Sequence, residues 1–247
     1  QTVARALGRG VSAYGERSRF ETTTRLLRDS RHPEASSSRT PLQDLQGTLT
    51  PSALHFERHH AGIPDIDPSS HRLLIHGLVD RPLELSLAEL RRLPAESRIH
   101  FLERSGNSGA LWREASVAAP HTTRGTAQST HGLTSSGEWE GVPLSVLLNE
   151  AGVRPEGTWL VAEGADASRM TRSVPLTKAL DDTFVAYGQN GEALRPAQGY
   201  PLRLFVPGWE GNISIKWLRR IEVVDRPYMT REETSKYTDL PPDGRAR

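Results

Sequence analysis

The apolar residues of this chain come in short runs, and glycine or proline closes most of them. The strand-like His71-Arg72-Leu73-Leu74-Ile75-His76 stops at Gly77, and Pro201-Leu202-Arg203-Leu204-Phe205-Val206 turns at Pro207-Gly208. Leu87, Leu90 and Leu93 share helical spacing over residues 86–93 until Pro94 stops them, and Pro143 to Ala151 reads as a short helix capped by Gly152. Alternation over Arg98 to Leu102, the Thr158 to Val161 run and the segment Lys216 to Val224 add strands, and Pro175 to Leu180 adds a helical turn. Runs this short fall well below the roughly 20 apolar residues of a membrane span. They predict a mixed α+β domain over residues 51–230. An irregular N-terminal extension (1–50) precedes it and a polar C-terminal tail (231–247) follows. Residues 29–38 in that extension are too polar to fold by apolar burial and are expected to be mobile.

Composition narrows the chemistry. The 247 residues are 36% hydrophobic, enough for a real core. Lysine and arginine total 31 against 30 acidic residues, which gives no global case for nucleic acid or a membrane surface as partner. Cysteine is absent, so the chain has no disulfide, no thiolate–metal bond and no cysteine nucleophile. Gln1 to Phe20 shows no apolar signal-peptide core, which predicts a cytosolic or already processed chain.

Several residues could carry chemistry. Phe56-Glu57-Arg58-His59-His60 sets a guanidinium beside two imidazoles, a combination suited to an oxyanion and equally compatible with a solvated turn. A histidine metal site drawn from His55, His59, His60, His100, His121 and His131 is a weaker reading, because no HExxH pattern supports it. Arg203 and Lys216 lie in or next to apolar strands, where a positive charge needs an anion or a salt-bridge partner. Trp209-Glu210-Gly211-Asn212 turns between those strands. Tyr237 follows a polar run and matters only if the tail folds back towards Arg58 and Arg104.

Taken together, these segments resemble the molybdopterin domain of the sulfite oxidase family, and most of all the molybdoenzyme subunit of bacterial Sox sulfite (sulfur) dehydrogenases. The resemblance rests on His55-Phe56-Glu57-Arg58-His59-His60-Ala61-Gly62-Ile63-Pro64, on Tyr187-Gly188-Gln189-Asn190-Gly191-Glu192 and on Gln198-Gly199-Tyr200-Pro201-Leu202-Arg203. It continues through Val206-Pro207-Gly208-Trp209-Glu210-Gly211-Asn212, Lys216-Trp217-Leu218-Arg219-Arg220 and Glu233-Thr234-Ser235-Lys236-Tyr237. It runs in order from about residue 40 to the end. The resemblance implies a molybdenum–molybdopterin cofactor and oxidation of sulfite or protein-bound sulfur. It further implies electron transfer to a c-type cytochrome and a periplasmic location. It gives Arg58 and Tyr237 catalytic places beside substrate and metal. It gives His60, Asn107, Gln198, Arg203 and Lys216 contacts with the pterin or its phosphate, Gln198 standing where many members carry histidine.

Two departures matter. The family motif reads Glu-Cys-x-Gly-Asn, whereas this chain reads Glu103-Arg104-Ser105-Gly106-Asn107. A guanidinium is cationic and cannot ligate a metal, so no protein metal ligand is expected and molybdenum should be lost or severely weakened. Arg104 is instead positioned to hold an anion or a salt bridge. Family members also continue into an immunoglobulin-like dimerisation domain, which is expected to be absent from a chain stopping at Arg247. The main reading is therefore a sulfite or sulfur dehydrogenase-like oxidoreductase. The alternative is a catalytically impaired homologue that binds an anion or serves as a scaffold.

Overall fold

The computed structural model describes residues 8–109, 111 and 125–235. The N-terminal strands β1 (Leu26–Leu27) and β2 (Ser37–Arg39) form an antiparallel sheet with β3 (Glu57–Arg58), in the order β1-β2-β3. Within residues 29–38, expected to be irregular, Pro33–Ala35 form a single 3-10 turn and only Ser37 and Ser38 join a strand. The segment gains its order from backbone hydrogen bonds, which a count of apolar residues does not register. The His59 amide donates to Ser36 O at 3.0 Å and the Gly62 amide to Glu34 O at 2.7 Å. Ser37, Ser38 and Thr40 are buried, and the Thr40 and Ser135 hydroxyls meet at 2.6 Å.

Next come β4 (Leu73–Gly77), β5 (Leu83–Leu85), α1 (Leu87–Leu90) and β6 (Glu96–Glu103). Helix α1 is shorter than the spacing of Leu87, Leu90 and Leu93 predicts. A capping box starts it: Ser86 Oγ accepts from the Glu89 amide, and the Glu89 carboxylate accepts from the Ser86 amide. The chain continues through α2 (Ala127–His131), β7 (Thr134–Pro143), α3 (Leu144–Ala151), β8 (Trp159–Gly164), β9 (Thr171–Pro175) and α4 (Leu176–Asp181). It closes with β10 (Phe184–Gln189), β11 (Glu192–Ala193), β12 (Arg203–Phe205), β13 (Leu218–Val224) and α5 (Arg231–Ser235). Helix α3 follows the predicted plan, entered from Pro143 and ended by left-handed Gly152.

Two five-stranded sheets carry the domain. One runs β5-β4-β13-β8-β9, with β4 and β13 parallel; the other runs β11-β10-β7-β6, with β12 paired to β10. The larger core packs Leu73 and Ile75 of β4, Leu160 of β8 and Ile221 of β13 against Leu144, Leu147 and Leu148 of α3. A Leu→Ala change at such a site costs about 2–5 kcal/mol. A smaller aromatic cluster gathers Phe56, Leu102, Trp139, Phe184 and Phe205. It lies under the candidate site and sets the floor on which Arg203 rests.

Candidate functional site

Two short backbone bridges bring the basic residues together. The Leu204 amide donates to Ile215 O and the Leu218 amide to Leu202 O, each at 2.8 Å, so the start of β12 lies beside the lead-in to β13. Arg203 and Lys216, far apart in the segment that joins them, thereby line one cleft. Arg58 and His60 come from β3 and the residue pair after it, Gln198 from the turn before β12, and Arg104 from the end of β6. Phe56, Leu102, Met170, Ile215 and Trp217 supply apolar wall, giving the mix of apolar lining and few polar groups typical of a small-molecule site.

Arg203 is buried. Its Nη1 donates to both Gln198 O and Gln198 Oε1 at 3.2 Å, and its guanidinium stands 5.2 Å from the Trp139 ring centroid. Its Nε has no partner among the described residues. Burial pulls the group down to about 9, still above neutrality, so the cation persists. Gln198, buried as well, donates from Nε2 to Phe56 O at 2.9 Å and so holds its oxygen towards Arg203.

Lys216 is only partly exposed, and its ammonium is enclosed. Nζ donates to Arg58 O at 3.1 Å, to Ala197 O at 3.1 Å and to His59 Nδ1 at 2.8 Å. Three acceptors match the three protons of an ammonium, and they fix His59 as the Nε2–H tautomer. That Nε2–H points at Glu57 Oε2, 3.4 Å away, and Glu57 in turn pairs with Arg25. Burial first, and Arg203 second, hold Lys216 well below its ordinary value. Burial likewise lowers His59, while Glu57, which burial would raise, is held down by His59 and Arg25. Lys216 thus spends its hydrogen bonds on the protein and reaches a ligand through its field. Arg203 keeps a donor spare. Neither forms an ion pair with a described carboxylate.

The cleft contains side chains that residue types alone did not single out. Asp166 is buried there, with Oδ2 accepting from Ser168 Oγ and Oδ1 unpartnered among the described residues. It lies in the polar loop after the Thr158 strand, which was its only sequence signal. His59 was one of two equivalent imidazoles in sequence; the structure turns it inward against Lys216. Asn107 is not among the lining residues: its Nδ2 donates to Glu103 Oε1 at 2.9 Å and its Oδ1 accepts from the Leu133 amide at 3.0 Å, bracing the loop that carries Arg104. Tyr237 and His121 lie outside the described residues.

A mixed α+β domain with this cationic cleft defines a class that the comparisons make specific. The family model described as oxidoreductase molybdopterin binding domain matches residues 60–232, and the chain belongs to that family. The sulfane dehydrogenase SoxCD from Paracoccus pantotrophus, a solved structure, superposes with a TM-score of 0.90 at 46% identity, covering 98% of this chain and 62% of that one. Sulfite oxidase from Gallus gallus is 34% identical over 205 residues, 78% of this chain and 43% of that protein. Nitrate reductase [NADH] from Ulva prolifera is 34% identical over 214 residues, 79% of this chain and 24% of that protein. The chain spans less than half the length of these two curated relatives.

The mixed fold expected from the sequence is the fold observed, and the kinship with Sox-type proteins holds. The expectation of a molybdenum-dependent, electron-transferring oxidoreductase is corrected. The chain has no cysteine, and among the described residues no group of three or more histidine, aspartate or glutamate side chains is placed to hold a metal. The cleft does not fit the family's metal, because the side chain at position 104 is a cation. Among the described residues, no helix is long and apolar enough to cross a membrane.

Proposed function

We propose that this chain is a catalytically impaired member of the family that binds an anionic ligand in the Arg203–Lys216 cleft. The ligand class is a phosphorylated pterin without its metal, or a sulfur oxyanion such as sulfite. One observation carries the reading: a buried guanidinium whose Nε has no partner among the described residues shares a cleft with an enclosed ammonium, and neither pairs with a described carboxylate. Cations desolvated in this way are costly to the ligand-free fold, and an anion offsets that cost. In this proposal Arg203 donates to the anion, Lys216 supplies charge, and Gln198 holds Arg203 in place. His60 and Arg58 face the ligand's other end. By family kinship we also place the protein in the periplasm, with a c-type cytochrome subunit as docking partner.

Elemental analysis of purified protein, combined with sulfate binding, tests the reading. Substoichiometric molybdenum is expected, with sulfate bound by the native chain and weakened about tenfold or more by Arg203→Met. Stoichiometric molybdenum together with sulfite-dependent reduction of cytochrome c would overturn it.

A further inference from the structure

Arg104 lines the same cleft as Arg203 but is partly exposed where Arg203 is buried, and its surroundings are those of a presented cation. Its guanidinium has no hydrogen bond and no ion pair among the described residues. The nearest acid in sequence, Glu103, is turned to Asn107 instead. The backbone beneath it is pinned from several sides. The Arg104 amide donates to Leu133 O at 3.0 Å, the Asn107 amide to Arg104 O at 2.8 Å and the Gly211 amide to Glu103 O at 2.6 Å. The side chain then folds over Gly106. A Cβ at that position would collide with Arg104 Nη1 and lie 3.1 Å from Cζ. The pose therefore depends on residue 106 having no side chain.

A further cation is held on the adjoining backbone: the amide of Thr40, next to Arg39, donates to Gly132 O at 2.8 Å, and the neighbouring Leu133 O accepts from the Arg104 amide. Arg39 on β2 is held below its ordinary value first by burial and then by the fields of Arg28 and Arg104, and its buried Nε has no partner among the described residues. Like charges gathered at a rigid rim destabilise one another until an anion joins them. A planar fork of donors held in place loses little freedom on binding an oxyanion.

We propose that Arg104, seated on Gly106 and flanked by Arg39, forms a second oxyanion locus at the rim of the cleft, so that the chain takes two anionic groups, one at the Arg203 floor and one at Arg104. The inference builds on the anion-cleft reading above. It identifies the ligand class as either two small oxyanions or one ligand with an anionic group at each end. Position 104 then serves recognition where the family motif has its thiolate.

Equilibrium dialysis with radiolabelled inorganic sulfate, whose charge is constant across neutral pH, counts bound anions per chain. Two sulfates are expected on the native chain. Arg104→Gln and Gly106→Ala should each weaken one of them by about tenfold or more and leave the other unchanged, while Arg104→Lys restores part of the loss. Melting curves for each variant check that the fold is retained. One bound sulfate, indifferent to both Arg104→Gln and Gly106→Ala, overturns the rim locus and leaves the floor reading standing. A native chain that binds none overturns both.

Discussion

The floor and the rim of the cleft present positive charge by opposite means. At the floor, Arg203 rests on Trp139 and is clamped by Gln198, and Lys216 is surrounded by two carbonyls and an imidazole. At the rim, Arg104 is held by a braced backbone and a glycine, with its guanidinium left to the cleft. Floor cations are part of the packing, so changing what holds them disturbs folding and binding together. The rim cation is carried on top of the packing, so changing it should disturb binding alone.

The sharpest way to break that contrast is to remove the floor's support. Trp139 is fully buried against Phe205, with ring centroids 4.6 Å apart. Trp139→Ala should lower unfolding free energy by about 3–5 kcal/mol in denaturant titration, whereas Gly106→Ala should change it by under about 1 kcal/mol. Equal losses from the two would erase the distinction.

Next in size is Lys216→Met, expected to weaken sulfate about 30-fold, roughly 2 kcal/mol. The same lysine gives a pH signature. Its folded value lies below the ordinary 10.5, so the unfolded chain holds the proton more tightly. Ligand-free stability should therefore rise, and sulfate affinity fall, as pH climbs through the lowered value towards 10.5. The methionine variant should show neither trend.

His55 gives an effect of a different kind, confined to the acid end. It is buried against Phe56 and Trp139, its Nδ1–H donates to Phe56 O at 3.0 Å, and burial pushes it down to about 3 from 6.5. The unfolded chain takes up its proton first, so stability is lost as pH falls from 6.5 towards 3, by up to about 1.4 kcal/mol for each pH unit. In His55→Phe the acid limb of the melting profile should flatten.

The smallest effect is expected at the outer end of the chain Lys216–His59–Glu57–Arg25. Arg25 and Glu57 are partly exposed, so Arg25→Ala should cost about 1 kcal/mol or less and shift sulfate affinity only a few-fold. A loss as large as that of Lys216→Met would mean that the N-terminal segment helps set the floor.

What could be read from the sequence follows from where the ordering forces lie. Helix α3 was legible because Pro143 and Gly152 bracket an apolar face. Strand β7 was not. Its inward positions include Ser135, Gly137 and Gly141, and at Gly141 a Cβ would fall 2.2 Å from Val185 O, so close approach to β10 replaces apolar bulk. Strand β2 escaped notice because serines carry it and its partners, β1 and β3, are each only two residues long. At the site, Arg203 and Lys216 were legible as charges out of place in apolar runs. Asp166 and the inward turn of His59 were not, because only tertiary structure decides which polar residue of a loop faces the cleft. Arg104 was conspicuous in sequence as a cation in a thiolate's position; its dependence on Gly106 emerges only in three dimensions.

The parallel pairing of β4 with β13 joins Leu74 to Arg220, so the sheet's central ladder spans most of the molecule's length. During synthesis the ribosome releases β4 long before β13 exists, leaving a strand edge waiting with nothing to bond it. Productive assembly therefore depends on what shields that edge in the interval, and yield should respond to chaperone supply.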